Sequence, residues 1–125
     1  MRMDKLTLKA QEAVNTAQNI ATDMNHYEIQ PEHLLLGLID QEGGIFSSIA
    51  QKIGVRLHDI RNEADAAVKE LPRQVGAGPG GGALSAALRD VLNEAWNEAV
   101  SLKDDYLSTE HLILALSSKG SGRAR

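Results

Sequence analysis

The sequence predicts an all-α fold made of a tandem duplication of a four-helix repeat with pseudo-twofold symmetry. The second repeat is incomplete, so about six helices are expected. Three observations support this. Apolar and small residues recur at spacings of three and four along most of the 125 residues. No segment shows sustained two-residue alternation with β-branched enrichment, so no strand is expected. A constant offset of 78 residues, from Leu6 to Leu84, superimposes the second half on the first without a gap.

The first helix is expected to follow Thr7, whose hydroxyl can accept a hydrogen bond from a backbone N–H of the first turn. Its apolar face consists mainly of alanines: Ala10, Ala13, Val14, Ala17, Ala21 and Met24. The second helix is expected to start at Pro31, because proline lacks only an N–H that would be unpaired there. It continues through Glu32, His33 and LLLGLI, a block that is apolar around most of the helix and therefore typical of a buried one.

A turn at residues 40–44 precedes a third predicted helix, which carries Ile45, Phe46, Ile49 and Ile53 at spacings of three and four. Gly54 is expected to end that helix in a left-handed conformation. A fourth helix is expected from about residue 57 to Pro72, which stops it. Its predicted buried residues are Leu57, Ile60, Ala64, Ala67, Val68 and Leu71.

Residues 72–83, PRQVGAGPGGGA, have the composition of a flexible linker. They separate repeat 1 (6–71) from the truncated repeat 2 (84–125). The helical pattern resumes beyond the linker: Leu84, Leu88, Val91, Leu92, Ala95, Trp96, Ala99 and Leu102.

The two copies agree at their helix starts. Under the offset of 78, Thr7 aligns with the second potential N-cap, Ser85, and the Glu-His-Leu at 32–34 aligns with that at 110–112. After residue 116 the second copy continues as SSKGSGRAR, without counterparts of the third and fourth helices. The chain is therefore expected to be an amino-terminal fragment. Its second copy is expected to leave apolar surface partly uncovered at Leu112, Leu114 and Leu116.

Composition argues against several classes of protein. The formal charge of −4 and four aromatic residues disfavour nucleic-acid binding, which needs a basic face and stacking side chains. The absence of cysteine excludes disulfides and thiolate chemistry. The longest apolar run, 34–39, is too short to cross a bilayer, and no signal core precedes it, so no membrane association and a cytoplasmic location are expected.

Two chemical patterns are weak. The linker contains GxGxxG at Gly76, Gly78 and Gly81, but a dinucleotide site needs a strand before those glycines. The histidines do not show the spacing of a helical zinc site, and His33 and His111 occupy equivalent repeat positions. A structural role is therefore favoured for these histidines, and neither a metal nor a cofactor is expected in this fragment.

The segments MRMDKLTLKAQEAV, PEHLLLGLIDQEGG, KELPRQVGAGPGGG and YLSTEHLILAL resemble the amino-terminal domain of the Clp ATPases, most closely the ClpB disaggregase branch. The resemblance implies two four-helix repeats ahead of two ATPase modules that bind ATP in a hexameric ring. It also implies partners: unfolded or aggregated polypeptide, the parent's own ATPase ring and a DnaK-type chaperone system. The fragment lacks a phosphate-binding loop, so no ATP hydrolysis or other enzymatic activity is expected of it.

The resemblance also implies site residues. In the family, the positions of Thr7, Asp104 and Glu110 are associated with chaperone function. In the ClpC branch, the repeat-start glutamates, here Glu32 and Glu110, are associated with recognising phosphorylated arginine. A simpler interpretation is that these glutamates stabilise the positive ends of their helices.

Our hypothesis is a shallow apolar groove between the repeats that holds unfolded polypeptide. It would be lined from the first and fifth helices and the second repeat start, with Leu92 and Leu112 contributing. Two alternatives remain open at this point: an adaptor-docking domain of a Clp protease ATPase of the ClpC or ClpA type, and a free-standing helical adaptor.

Overall fold

The computed structural model describes residues 3–26, 28–41, 48, 51–54, 56–71 and 83–119. Within them the chain is mostly α-helical, which confirms the predicted fold class. The α-helices are α1 (Leu8–Asp23), α2 (Pro31–Ile39), α3 (Leu57–Lys69), α4 (Ala86–Ser101) and α5 (Thr109–Lys119). A 3₁₀ turn, Met3–Lys5, precedes them, and residues 51–53 are also helical.

The predicted helix starts that fall on described residues are confirmed. Thr7 caps α1 by accepting a hydrogen bond from the N–H of Ala10 at 3.2 Å, and Ser85 caps α4 in the same way, from Leu88 at 3.0 Å. Pro31 is the first residue of α2. Gly54 adopts the expected left-handed conformation, with φ 78°.

The expectation that the chain has no strand is wrong. Two-residue strands β1 (Glu28–Ile29) and β2 (Ala83–Leu84) pair in parallel, although Ala83 falls in the predicted linker. An isolated parallel bridge joins Leu6 to Leu107. The two pairings are equivalent under the offset of 78, and each joins one repeat to the other. Pairs this short cannot show alternation in sequence, which is why they were not predicted.

Helix packing is repeated in the two copies. Helix α1 packs on α2, and α4 packs on α5. The alanine face of α1 and the leucine-rich face of α4 share one core, to which Ala13 and Val91 both contribute with no exposed surface. The approach of α1 to α2 is close at Gly37, where an added Cβ would lie 2.8 Å from the carbonyl oxygen of Ala13.

Helix α3 covers one face of α2 through a second cluster formed by Leu36, Ile39, Ala64 and Val68. Leu36 is buried there, whereas its counterpart in the second repeat, Leu114, is 47% exposed. The expectation that Leu112 and Leu116 are also uncovered is wrong, because both face the main core. The uncovered surface of α5 is therefore narrower than predicted and includes Leu114.

Several residues that were predicted to be buried are partly or largely exposed. Leu57, Ile60 and Leu71, expected to be buried, are partly exposed. Ile53 is 66% exposed. Some predicted features lie outside the described residues: Ile45, Phe46 and Ile49 of the third helix, Pro72, and the glycines at 76, 78 and 81.

Among the described helices, none is long and apolar enough to cross a membrane.

The turns after α1 and α4 offer a stability test. Asn25 (φ 56°) and Lys103 (φ 59°) are equivalent positions, and both are left-handed. Left-handed backbone costs a non-glycine residue about 1–2 kcal/mol, while glycine loses about 0.5–1 kcal/mol through extra unfolded-state freedom. We expect Lys103→Gly to raise the free energy of unfolding by about 0.5–1 kcal/mol in urea denaturation. Asn25→Gly should gain less, because asparagine tolerates this conformation. A Lys103→Gly protein no more stable than the wild type would contradict this account.

Candidate functional site

A shallow depression on the second repeat brings together two of the predicted site residues, Asp104 and Glu110. Its volume is about 510 Å³. It lies where the end of α4, the following turn and the first turns of α5 meet, and it is lined by Leu102, Asp104, Asp105, Tyr106, Ser108, Glu110, His111 and Leu114.

Large apolar side chains form part of the wall. Leu102, Tyr106 and Leu114 are 57%, 54% and 47% exposed. The Nζ atom of Lys5 lies 5.9 Å from the centre of the Tyr106 ring, a cation–π distance that links the chain start to this wall. Asp104, Asp105 and Glu110 add three carboxylates to the same depression. The lining therefore combines exposed apolar surface with acidic groups.

Asp104 is oriented by a buried histidine. His111 Nε2 lies 2.9 Å from Asp104 Oδ2, with the histidine side chain 4% exposed and the aspartate side chain 48% exposed. The backbone N–H of Ser108 donates to His111 Nδ1 at 2.9 Å. Because Nδ1 accepts a hydrogen bond, the neutral ring carries its proton on Nε2 and donates it to the aspartate.

The first repeat contains the same arrangement with a different last residue. The N–H of Gln30 donates to His33 Nδ1 at 2.8 Å, and His33 Nε2 lies 2.7 Å from Nδ1 of His26, the counterpart of Asp104. Both histidines are buried. Burial, together with the neighbouring His26, lowers the pKa of His33 to about 4. His33 is therefore neutral at pH 7, in agreement with the structural role favoured for it.

Ser108, His111 and Asp104 include the residue types of a hydrolytic triad, with Ser108 Oγ 3.1 Å from His111 Nδ1. That nitrogen already accepts a hydrogen bond from the backbone N–H of Ser108, so it is not available to take the proton of the hydroxyl. The corresponding backbone bond in the first repeat, with Gln30 in place of the serine, indicates a helix-start interaction. The arrangement can hold a carboxylate in place, and it does not favour nucleophilic catalysis.

The predicted groove residues Leu92 and Leu112 are not at the surface. They are 4% and 0% exposed and belong to the main core, so neither offers a side chain to a ligand in this structure. The depression also lies within the second repeat rather than between the repeats, where the buried residues of both copies form one continuous core. Leu102 and Tyr106 also line the depression, although neither was predicted as a site residue.

The other two predicted residues lie outside this lining. Thr7 is occupied as the cap of α1, and its backbone N–H donates to the carbonyl of Leu107 at 3.0 Å, one residue beyond Tyr106. Glu32 is the second residue of α2 in the first repeat and is half-buried; its Oε1 is buried and has no hydrogen-bond partner among the described residues. Burial raises the pKa of Glu32, opposed by its own backbone N–H. Glu110, its counterpart, is exposed.

Across the part of the chain that the structure describes, no group of three or more histidine, aspartate or glutamate side chains could hold a metal ion. A second depression, of about 320 Å³, lies at the seam of α1 and α2 and includes Glu12, Gly37 and Asp40. Asp40 there is bridged by Arg61 at 2.7 Å, so its charge is already balanced.

Comparison with known proteins identifies the fold and the family. The profile of the Clp repeat N-terminal domain matches residues 5–125. This chain belongs to the Clp repeat N-terminal domain family. The Clp repeat domain described here is 36% identical over 121 residues to the chaperone protein ClpB of Bacillus cereus, a match that covers 95% of this chain and 14% of that protein. The chain thus spans about one seventh of the relative's length.

Solved Clp domains have the same fold. The crystal structure of the Hsp104 N-terminal domain from Candida albicans has a TM-score of 0.84 at 20% identity, covering 92% of this chain and 75% of that one. The ClpV N-domain in complex with a VipB peptide has a TM-score of 0.75 at 21% identity, covering 97% and 74%. Similarity at this level of identity establishes the fold of this Clp repeat domain.

Proposed function

We propose that this domain engages exposed apolar segments of unfolded or aggregated polypeptide through the depression on its second repeat. The observation that carries the proposal is the exposure of Leu102, Tyr106 and Leu114 around one depression, since half-exposed large apolar side chains gain free energy when a ligand covers them. The carboxylates of Asp104 and Glu110 favour segments in which a basic residue neighbours the apolar ones.

Family membership supports a wider role. In our proposal the domain is the amino-terminal part of a ClpB-like disaggregase, a cytoplasmic, ATP-binding hexamer that acts with a DnaK-type chaperone. The domain would hold substrate weakly and pass it to the ATPase ring. The shallow, open depression supports weak binding, because it can cover only part of a bound segment.

Docking of a dedicated adaptor is the second candidate function. It is favoured by the solved ClpV N-domain, which holds a defined VipB peptide on the same fold. A Clp protease ATPase would use its amino-terminal domain in this way. Binding of one defined sequence, with no binding of unrelated unfolded chains, would favour the adaptor over the substrate role.

The substrate role can be tested by NMR titration of ¹⁵N-labelled domain with a short peptide containing two leucines beside one arginine. We expect shifts at Leu102, Asp104, Tyr106 and Leu114. Leu114→Ser should weaken binding about threefold to tenfold, because about 1 kcal/mol of apolar contact is lost. Ile53→Ser, which alters an exposed apolar residue of the first repeat, is the matched control and should leave the affinity unchanged. Shifts confined to the first repeat would refute the site.

A further inference from the structure

The two repeats differ at one position of an otherwise shared hydrogen-bond chain. In each repeat the hydrogen-bond chain starts at a backbone N–H, passes through a buried histidine and ends on the residue seven positions before that histidine. The first repeat ends the chain on His26, which is 2% exposed. The second ends it on Asp104, whose side chain is 48% exposed and lines the depression. The same framework therefore closes a core in one repeat and presents a charge in the other.

The backbone of Asp104 is fixed as firmly as its side chain. Its N–H donates to the carbonyl of Ala99 at 2.9 Å, at the turn where Lys103 is left-handed. His111 then holds Oδ2 at 2.9 Å, and Ser108 keeps the proton of that histidine on the side facing the aspartate. An aspartate held by both its backbone and its side chain loses little conformational freedom when a ligand binds it.

From this geometry we propose that His111 is a positioning residue, which fixes the Asp104 carboxylate for the cationic side chain of a bound segment. Asp104 makes the contact in this scheme, and His111 acts through it. The inference rests on the proposed function, because it assigns a role within the same depression. It makes the second repeat the one that recognises charge, whereas the histidine pair of the first repeat only stabilises its fold.

The test is a double-mutant cycle on peptide affinity, measured by the same NMR titration under folded conditions. Asp104→Asn should lower the affinity for the arginine peptide about threefold, the size expected for a charge at the edge of an interface. It should leave the affinity for a peptide with glutamine in place of the arginine unchanged. His111→Phe should weaken the arginine peptide similarly in the wild-type background and have no further effect beside Asp104→Asn. His111→Gln, whose amide can still donate to the aspartate, should recover part of the loss.

His33→Phe is the matched control, because it removes the equivalent histidine from the first repeat. It should lower the melting temperature but leave the affinity of the folded domain unchanged. Equal effects of His111→Phe with and without Asp104 would show that the histidine acts on the fold alone, and would overturn the inference. If the wild-type domain binds neither peptide, the proposed function fails instead, so the two failures can be distinguished.

Discussion

Leu112→Ala is expected to lower the free energy of unfolding by about 2–5 kcal/mol, the range for removing a fully buried leucine. Leu112 has no exposed surface and packs in the main core with Leu34, its counterpart in the first repeat. Leu34→Ala should therefore cost a similar amount. Urea denaturation followed by circular dichroism measures both losses.

The exposed neighbour Leu114 supplies the contrast. Leu114→Ala should change stability by less than about 0.5 kcal/mol, as for other surface substitutions, yet weaken peptide binding. Leu112→Ala should weaken binding only as far as it lowers the folded fraction. If Leu112→Ala left stability intact and abolished binding, the leucine would be a surface contact, and its placement in the core would be wrong.

Acid is expected to destabilise the domain through His33. Its pKa is about 4 in the folded protein, below its value of about 6.5 in an unfolded chain, so the unfolded state binds the proton first as the pH falls. The stability is complete above about pH 6.5 and is lost progressively down to about pH 4, by up to about 3 kcal/mol. Urea midpoints measured at intervals from pH 7 to pH 4 follow this loss.

Glu32 contributes with the opposite sign. Burial raises its pKa in the folded state, so protonation of this carboxyl favours folding as the pH falls. It therefore offsets part of the loss at the acid end. The control is His33→Phe, for which the slope of stability against pH, rather than its absolute level, should flatten between pH 6.5 and pH 4. An unchanged slope would show that another group dominates.

The local signals in the sequence were sufficient for the helices. Thr7, Pro31 and Gly54 each act through the backbone of their own segment, and all three occupy the predicted positions. The repeat offset carried the same information to the second copy, where Ser85 caps α4. Predictions of this kind succeed because capping and turn chemistry depend on neighbours within a few residues.

The surface of the second repeat was harder to predict. The block LILAL is apolar throughout, so its pattern cannot show that Leu112 and Leu116 face the core while Leu114 faces outward. Asp104, which is hydrogen-bonded to His111, follows a left-handed residue at Lys103, a position with no glycine to indicate the turn. These features depend on how α4 meets α5, which is a property of the tertiary structure.

The strand pairings that join one repeat to the other indicate how this architecture could have originated. Ile29 pairs with Leu84 and Leu6 with Leu107, so each of these short extended segments has its pairing partner in the other copy. Two separate single-repeat chains could form the same strand pairs as a twofold homodimer, in which the same surface of both chains makes the interface. Joining the copies in one chain makes that association unimolecular and independent of protein concentration. It also frees each half to change alone, as the exchange of His26 for Asp104 illustrates.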